Sequence, residues 1–229
     1  MEACLPTSGV ALRSSFGIPG GRAALSGARI RSTVATTPTA VFAPGADGVT
    51  VFADNAVRAA DGRVAQVPSI IGSNSREGTA FATTWDEDSV DEAEVALTTT
   101  GIRCIALAEV ANRLGGGLPT YQYYYTGNFS NIAPLPWIGA ARTVEQPLIT
   151  GQHDQYRGES TDFEKDVSLA MQELWLSFAR DVTQDPTSTS SDFTWPEFAI
   201  TGDTVAVFAE DGQAVQLKNS AEVGPVCEF

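Results

Sequence analysis

The sequence predicts an α/β domain. Short strand-like runs alternate with helical ones from about Ala46 onward. One helix is marked by both a cap and an apolar stripe, and Gly and Pro punctuate the boundaries. Strands that alternate with helices need crossover connections, so the expected architecture is a largely parallel sheet flanked by helices.

Gly45-Ala-Asp-Gly48 reads as a turn before the short apolar run Val49–Phe52. Val67-Pro-Ser-Ile-Ile-Gly72 is largely apolar and ends in Gly, the pattern of a buried strand of the parallel type. Asp86–Leu97 is acidic, with a weak helical face from Val90, Ala93 and Val95–Leu97. Arg103–Leu114 is a better helix, with apolar content from Ile102, Ile105, Ala106, Ala108 and Val110. Gly115-Gly-Gly117 stops it, and Pro119 follows. This Gly run follows a helix rather than a strand, which favours a helix stop over a phosphate cradle. Thr120–Thr126 is a strand by its aromatic and β-branched content. Thr161-Asp-Phe-Glu164 is a capping box opening the strongest helix. Phe163, Val167, Ala170, Met171, Leu174 and Phe178 form its buried stripe. Asp203 to Lys218 reads as a two-stranded ribbon turning at Glu210-Asp-Gly212. Trp137, Trp175 and Trp195 read as core residues rather than ligand platforms.

The 229 residues carry 14 Lys+Arg against 28 Asp+Glu, a net charge of −14. Phosphate binding needs clustered cations, so no nucleic-acid partner is expected. No run of eighteen apolar residues is present, so no membrane span is expected. The charge is uneven: residues 1–46 hold four Arg against Glu2, or +3, leaving −17 for the rest. Residues 1–45 are expected to form a leader, either a targeting peptide or a poorly ordered segment, and residues 46–229 the folded domain. The start shows no classical signal peptide. With one His and three widely spaced Cys, no metal site is expected. Neither a Walker loop nor a Gly-x-Gly-x-x-Gly after a strand is present.

The search for a nucleophile finds no Gly-x-Ser-x-Gly elbow. Glu77 follows a predicted strand on a turn beside Gly78. A carboxylate there can orient a catalytic imidazole, or be a solvated turn residue. Asn128-Phe-Ser130 is a glycosylation sequon, meaningful in a secreted chain.

The string Val67-Pro-Ser-Ile-Ile-Gly-Ser-Asn-Ser-Arg-Glu-Gly-Thr-Ala-Phe81 resembles the type-B carboxylesterase/lipase family, the cholinesterase–lipase branch of the α/β-hydrolases. The resemblance continues at Leu118–Tyr125, Pro136–Ile149, Met171–Asp181 and Trp195–Phe198, in the family's order, and is strongest to fungal secreted members. It implies the C-terminal part of an α/β-hydrolase fold, with an incomplete central sheet and flanking helices. The implied function is hydrolysis of carboxylic esters through an acyl-serine, without cofactor or metal. It makes Glu77 the acid of a Ser-Glu-His triad. The family's His position, three residues after Gly139, is Arg142 here. A guanidinium cannot act as a general base. His153 lies eleven residues further on and is expected at the surface. The chain alone is therefore expected to be inactive, with an ester substrate only in a complete member. The alternative is a non-catalytic binding module. A protein partner is expected to cover a sheet edge left exposed by the incomplete sheet. Glu145 is either a support for the site or a solvated carboxylate. The family also implies a disulfide between Cys104 and Cys227, the alternative being two inert thiols, with Cys4 unpaired. Secretion is implied by the resemblance.

Overall fold

The computed structural model describes residues 45–82, 86–224 and 227. The leader of residues 1–45, Gly45 apart, and Cys4 lie outside the described residues. The chain divides into two units, Met1–Ala53 and Asp54–Phe229. In the first, Asp47 caps a turn: its carboxylate accepts from the N–H groups of Val49, Thr50 and Val51 at 2.7–2.9 Å.

The second unit is built on a four-stranded sheet. Its elements, in chain order, are α1 (Asn55–Ala60), β1 (Ser69–Asn74), α2 (Glu92–Gly115), β2 (Thr120–Tyr125), α3 (Gln146–Ile149), α4 (Asp162–Arg180), the short pair β3 (Thr187–Ser188) and β4 (Phe193–Thr194), β5 (Asp203–Glu210) and β6 (Gln213–Asn219). The strand order is β1-β2-β5-β6. The first three strands are parallel, with Ser69 opposite Thr120 and Gln122 opposite Val205. β6 returns antiparallel, and Glu210 pairs with Gln213 across a two-residue turn, as the ribbon pattern predicted.

Side-chain alternation divides the sheet's two faces. Tyr121, Tyr125, Ala206 and Phe208 join Val167, Ala170, Met171 and Leu174 of α4 and Trp195 in one core. Tyr124, Val205 and Val207 join Val110 of α2, Phe198 and Val223 in the other. The predicted α4 stripe is thus the centre of the larger core. Trp195 is fully buried, and Trp175 packs at a centroid distance of 5.7 Å from it. Trp137 sits with the small cluster of Ala133, Ile138 and Ala141.

Four expectations need correction. The strand predicted over 67–72 lies at 69–74, and Val67 is 55% exposed. It is half-buried along most of its length because its outer edge has no strand partner among the described residues. The weak helix and the better helix are one continuous α2, so Cys104 lies inside it rather than at its start. Asp91 caps it, accepting from Ala93 and Glu94 N–H at 2.9 and 3.1 Å. Its buried face is not the apolar set expected: Ile105 is 73% exposed, whereas Arg103 and Arg113 are buried. Buried guanidiniums need acceptors. Arg113 donates to the Val67 carbonyl, and Arg103 donates to that of Val223 with its cationic carbon 5.1 Å from the Tyr124 ring centroid. Finally, the capping box is one-sided. Thr161 Oγ1 accepts from Glu164 N–H at 3.1 Å, but the Glu164 carboxylate turns inward to accept from Asn131 Nδ2 at 2.9 Å.

The end of α2 follows the prediction. Leu118 N–H reaches Arg113 O and Gly117 N–H reaches Leu114 O, a Schellman pair, with Gly117 at φ 69° where glycine carries no steric cost. Cys104 and Cys227 are disulfide-bonded, with Cα atoms 5.4 Å apart. Arg103 and the bridge together tie the C-terminal tail to α2.

Leu174→Ala should cost about 2–5 kcal/mol, because Leu174 is fully buried in the α4 core. Leu176→Ala, on the same helix but 53% exposed, should cost less than about 0.5 kcal/mol. Urea unfolding of both variants reads the difference. Equal losses would contradict the packing assigned to α4.

Candidate active site

Strand β1 delivers its last residue, Asn74, to the carboxyl end of the parallel sheet, where ligands of open α/β sheets bind. The chain then turns sharply. Ser75 N–H donates to Tyr125 O at 2.9 Å, Arg76 N–H donates to Ala140 O at 3.0 Å, and Glu77–Phe81 forms a short 3-10 helix. Gly78 lets this turn lie directly on α2: a Cβ there would meet the Val95 carbonyl oxygen at 2.2 Å. Its N–H donates to Thr99 Oγ1 at 2.9 Å.

That packing places Glu77 inside, at 5% exposure, not in solvent. Its Oε1 accepts from Asn74 N–H at 2.9 Å. Its Oε2 lies 3.6 Å from Nη1 of Arg142, whose side chain is 48% exposed. The Arg142 guanidinium also lies 5.9 Å from the Phe81 ring centroid. The structure therefore brings together the two residues that the sequence singled out.

A second carboxylate stands behind the first. Glu145 is buried rather than solvated. It accepts from Asn74 Nδ2, and Tyr123 OH lies 3.5 Å from its Oε1. Asn74 Nδ2 also donates to Ala141 O at 2.7 Å. Asn74 is thus the hub: its backbone holds Glu77 and its side chain holds Glu145 and the loop that carries Arg142. Sequence reasoning missed it: the predicted strand ended at Gly72, which left Asn74 as one polar residue of the turn that follows.

Burial raises the Glu77 pKa above its ordinary 4.5, and the Glu145 charge adds to the rise; the Asn74 N–H and the Arg142 charge oppose it. Burial and then the Glu145 charge also push the Tyr123 hydroxyl well up.

His153 is not at the surface. Its side chain is 12% exposed, with Nδ1 2.6 Å from Ser160 Oγ and 3.8 Å from Glu164 Oε1. These polar partners explain its burial, and they belong to the α4 start rather than to the Glu77 site. Asn128 is exposed and donates from Nδ2 to Pro136 O at 2.9 Å. Beside the turn lies a cleft of about 370 Å³, lined in part by Arg76, Glu92, Asn128 and Trp137. Arg76 and Glu92 are joined there by two hydrogen bonds of 2.9 and 3.1 Å. Among the described residues, no group of three or more His, Cys, Asp or Glu could hold a metal ion. Among the same residues, no helix is long and apolar enough to cross a membrane.

The raised Glu77 pKa has a pH signature. A carboxyl with a folded pKa above its unfolded value contributes stability that is complete below the unfolded value and is lost as pH rises through the folded one. Glu77→Gln removes that titration. The variant's stability relative to the parent should therefore climb as pH rises from 4.5 through the raised value. Melting of both proteins across that window gives the difference, and a difference that stays flat or falls would contradict the burial argument.

No protein-family model matches the chain. It is 40% identical over 207 residues to a chlorogenic acid esterase of Aspergillus niger, a match covering 86% of this chain and 40% of that protein. It is 38% identical over 149 residues to secreted lipase 5 of Gibberella zeae, covering 59% of this chain and 27% of that protein. Among solved structures, a carboxylesterase of Geobacillus stearothermophilus superposes with a TM-score of 0.61 at 16% identity, over 84% of this chain and 46% of that one. The chain thus spans less than half the length of the relatives it matches. The sheet order, the flanking helices and these matches agree: the chain belongs to the carboxylesterase/lipase family and forms part of its α/β-hydrolase fold.

Proposed function

We propose that this chain, over residues 46–229, is the C-terminal part of a type-B carboxylesterase domain whose acid site does not perform hydrolysis. The observation that carries the reading is the Glu77–Arg142 pair. The triad acid orients an imidazole that takes a proton from the nucleophile and returns it to the leaving group. A guanidinium at the imidazole's place holds its charge and has no lone pair to offer. This argument holds whatever supplies the serine. The sequence itself contains no Gly-x-Ser-x-Gly. The relatives' names, an esterase of chlorogenic acid and a lipase, make a carboxylic ester the substrate class of a complete, active member.

A second reading, a non-catalytic binding module, is favoured by the outer edge of β1. No strand covers it among the described residues, and Ser69–Asn74 carries no charge to protect it. A protein partner that supplies a strand is the occupant this reading requires. The Cys104–Cys227 bridge and the exposed Asn128 support a further part of the proposal, a glycoprotein folded in an oxidising compartment.

Purified chain should hydrolyse p-nitrophenyl butyrate no faster than its Glu77→Gln variant, and a fluorophosphonate should label no serine. Turnover that Glu77→Gln abolishes would overturn the proposal. Arg142→His should not restore hydrolysis by itself. Its new imidazole should instead titrate above about 6.5, because a carboxylate neighbour favours the imidazolium. With one native histidine, NMR can follow both rings. The rise should disappear when Glu77→Gln is added; an introduced ring indifferent to Glu77 counts against the assigned geometry.

A further inference from the structure

Arg142 sits on a loop whose shape is set on both sides. Before it, Ala140 O accepts from Arg76 N–H at 3.0 Å and Ala141 O accepts from Asn74 Nδ2 at 2.7 Å. After it, Thr143 has φ 71°, a conformation that a β-branched residue takes only where its surroundings impose it, and Glu145 is buried. Between these fixed points the Arg142 side chain is 48% exposed. Among the described residues its guanidinium has two close neighbours, the Glu77 carboxylate and the Phe81 ring. The Glu77 distance of 3.6 Å is longer than a hydrogen bond. A guanidinium carries five N–H donors in a rigid fork. Elsewhere in this unit such forks are taken: Arg76 gives two hydrogen bonds to Glu92, and Arg63 gives two to Asp61. Arg142 gives Glu77 one edge, and no other described acceptor takes its remaining N–H groups. Phe81 is itself 53% exposed, so apolar surface lies next to this fork.

We infer that Arg142 and Phe81 form a binding site for an aryl carboxylate. The ligand carboxylate takes two parallel N–H···O bonds from the guanidinium, and its aromatic body lies beside Phe81. The inference rests on the second reading above, a non-catalytic binding module, and gives that module a ligand class: the acid half of a carboxylic ester. Glu77 holds the guanidinium from the buried side, so the cation is already positioned when the ligand arrives. The net charge of −14 repels free anions. A carboxylate that binds this chain must therefore do so at a particular cation rather than over the general surface.

The test titrates the purified full chain with trans-cinnamate by ligand-observed NMR, beside methyl cinnamate, acetate and sulfate. Cinnamate should bind at least about tenfold more tightly than its uncharged methyl ester. Arg142→Met should cost a similar factor, and Arg142→Lys, which keeps the charge and loses the fork, should cost several-fold. Phe81→Ala should weaken cinnamate by about two- to tenfold and leave acetate unchanged. The comparison of ligands on the parent protein needs no variant, and near-ultraviolet circular dichroism checks that each variant is folded. No cinnamate binding, equal binding of the methyl ester, full affinity in Arg142→Lys, or displacement of cinnamate by an equal concentration of sulfate overturns the inference. The esterase assay decides the underlying reading separately. Absent turnover together with absent cinnamate binding overturns the inference alone, whereas turnover that Glu77→Gln abolishes overturns the reading on which it rests.

Discussion

The site depends on a carboxylate taken out of water at the end of a parallel strand. Glu77 is buried because Gly78 lets the turn after β1 lie against α2. A buried carboxylate must find donors or give up its charge. Here the Asn74 N–H is one donor, and the half-exposed Arg142 is the neighbouring cation. Glu145 would repel Glu77, but Asn74 Nδ2, which also donates to Ala141 O, and the Tyr123 hydroxyl fix it behind the first acid. The arrangement is one that orients a charged partner. Its partner in this chain is the Arg142 guanidinium, 3.6 Å from Glu77 Oε2.

A similar logic runs through the α2 layer. Arg103 and Arg113 lie where an apolar stripe would be expected, and each is matched to a backbone carbonyl that no strand or helix uses, of Val223 and Val67. These contacts fasten the segments entering and leaving the sheet. The Cys104–Cys227 bridge fastens the same tail one residue further along the helix. The α2 layer therefore adds polar ties to the apolar contacts of Val110 with Tyr124, Val205 and Val207, and the α4 layer is held by apolar packing of Val167, Ala170, Met171 and Leu174 against the tyrosines of β2.

Much of the fold was legible in the sequence where period and punctuation agree. The α4 stripe, the Gly115–Gly117 stop, the aromatic β2 run and the β5–β6 hairpin all stand where the pattern put them. What misled was local chemistry. The Thr98-Thr-Thr-Gly101 run, poor in helix formers, separates the two predicted helical segments yet lies inside one helix. His153 read as exposed because its partners, Asn131, Ser160 and Glu164, converge only in three dimensions. At the site, Glu77 and Arg142 were found through a family's motif order, since a turn glutamate alone is uninformative. Asn74 was not found, because an asparagine at a strand end carries no spacing signal of its own.

The central claim is that Arg142 serves as the countercharge of the buried Glu77. A double-mutant cycle in urea, with Glu77→Gln, Arg142→Met and the double variant, measures that coupling directly. The account predicts that Arg142→Met destabilises the parent more than it destabilises the Glu77→Gln variant, by at least about 0.5 kcal/mol. Equal effects in the two backgrounds would show that the two side chains are neighbours without interaction, and would contradict it.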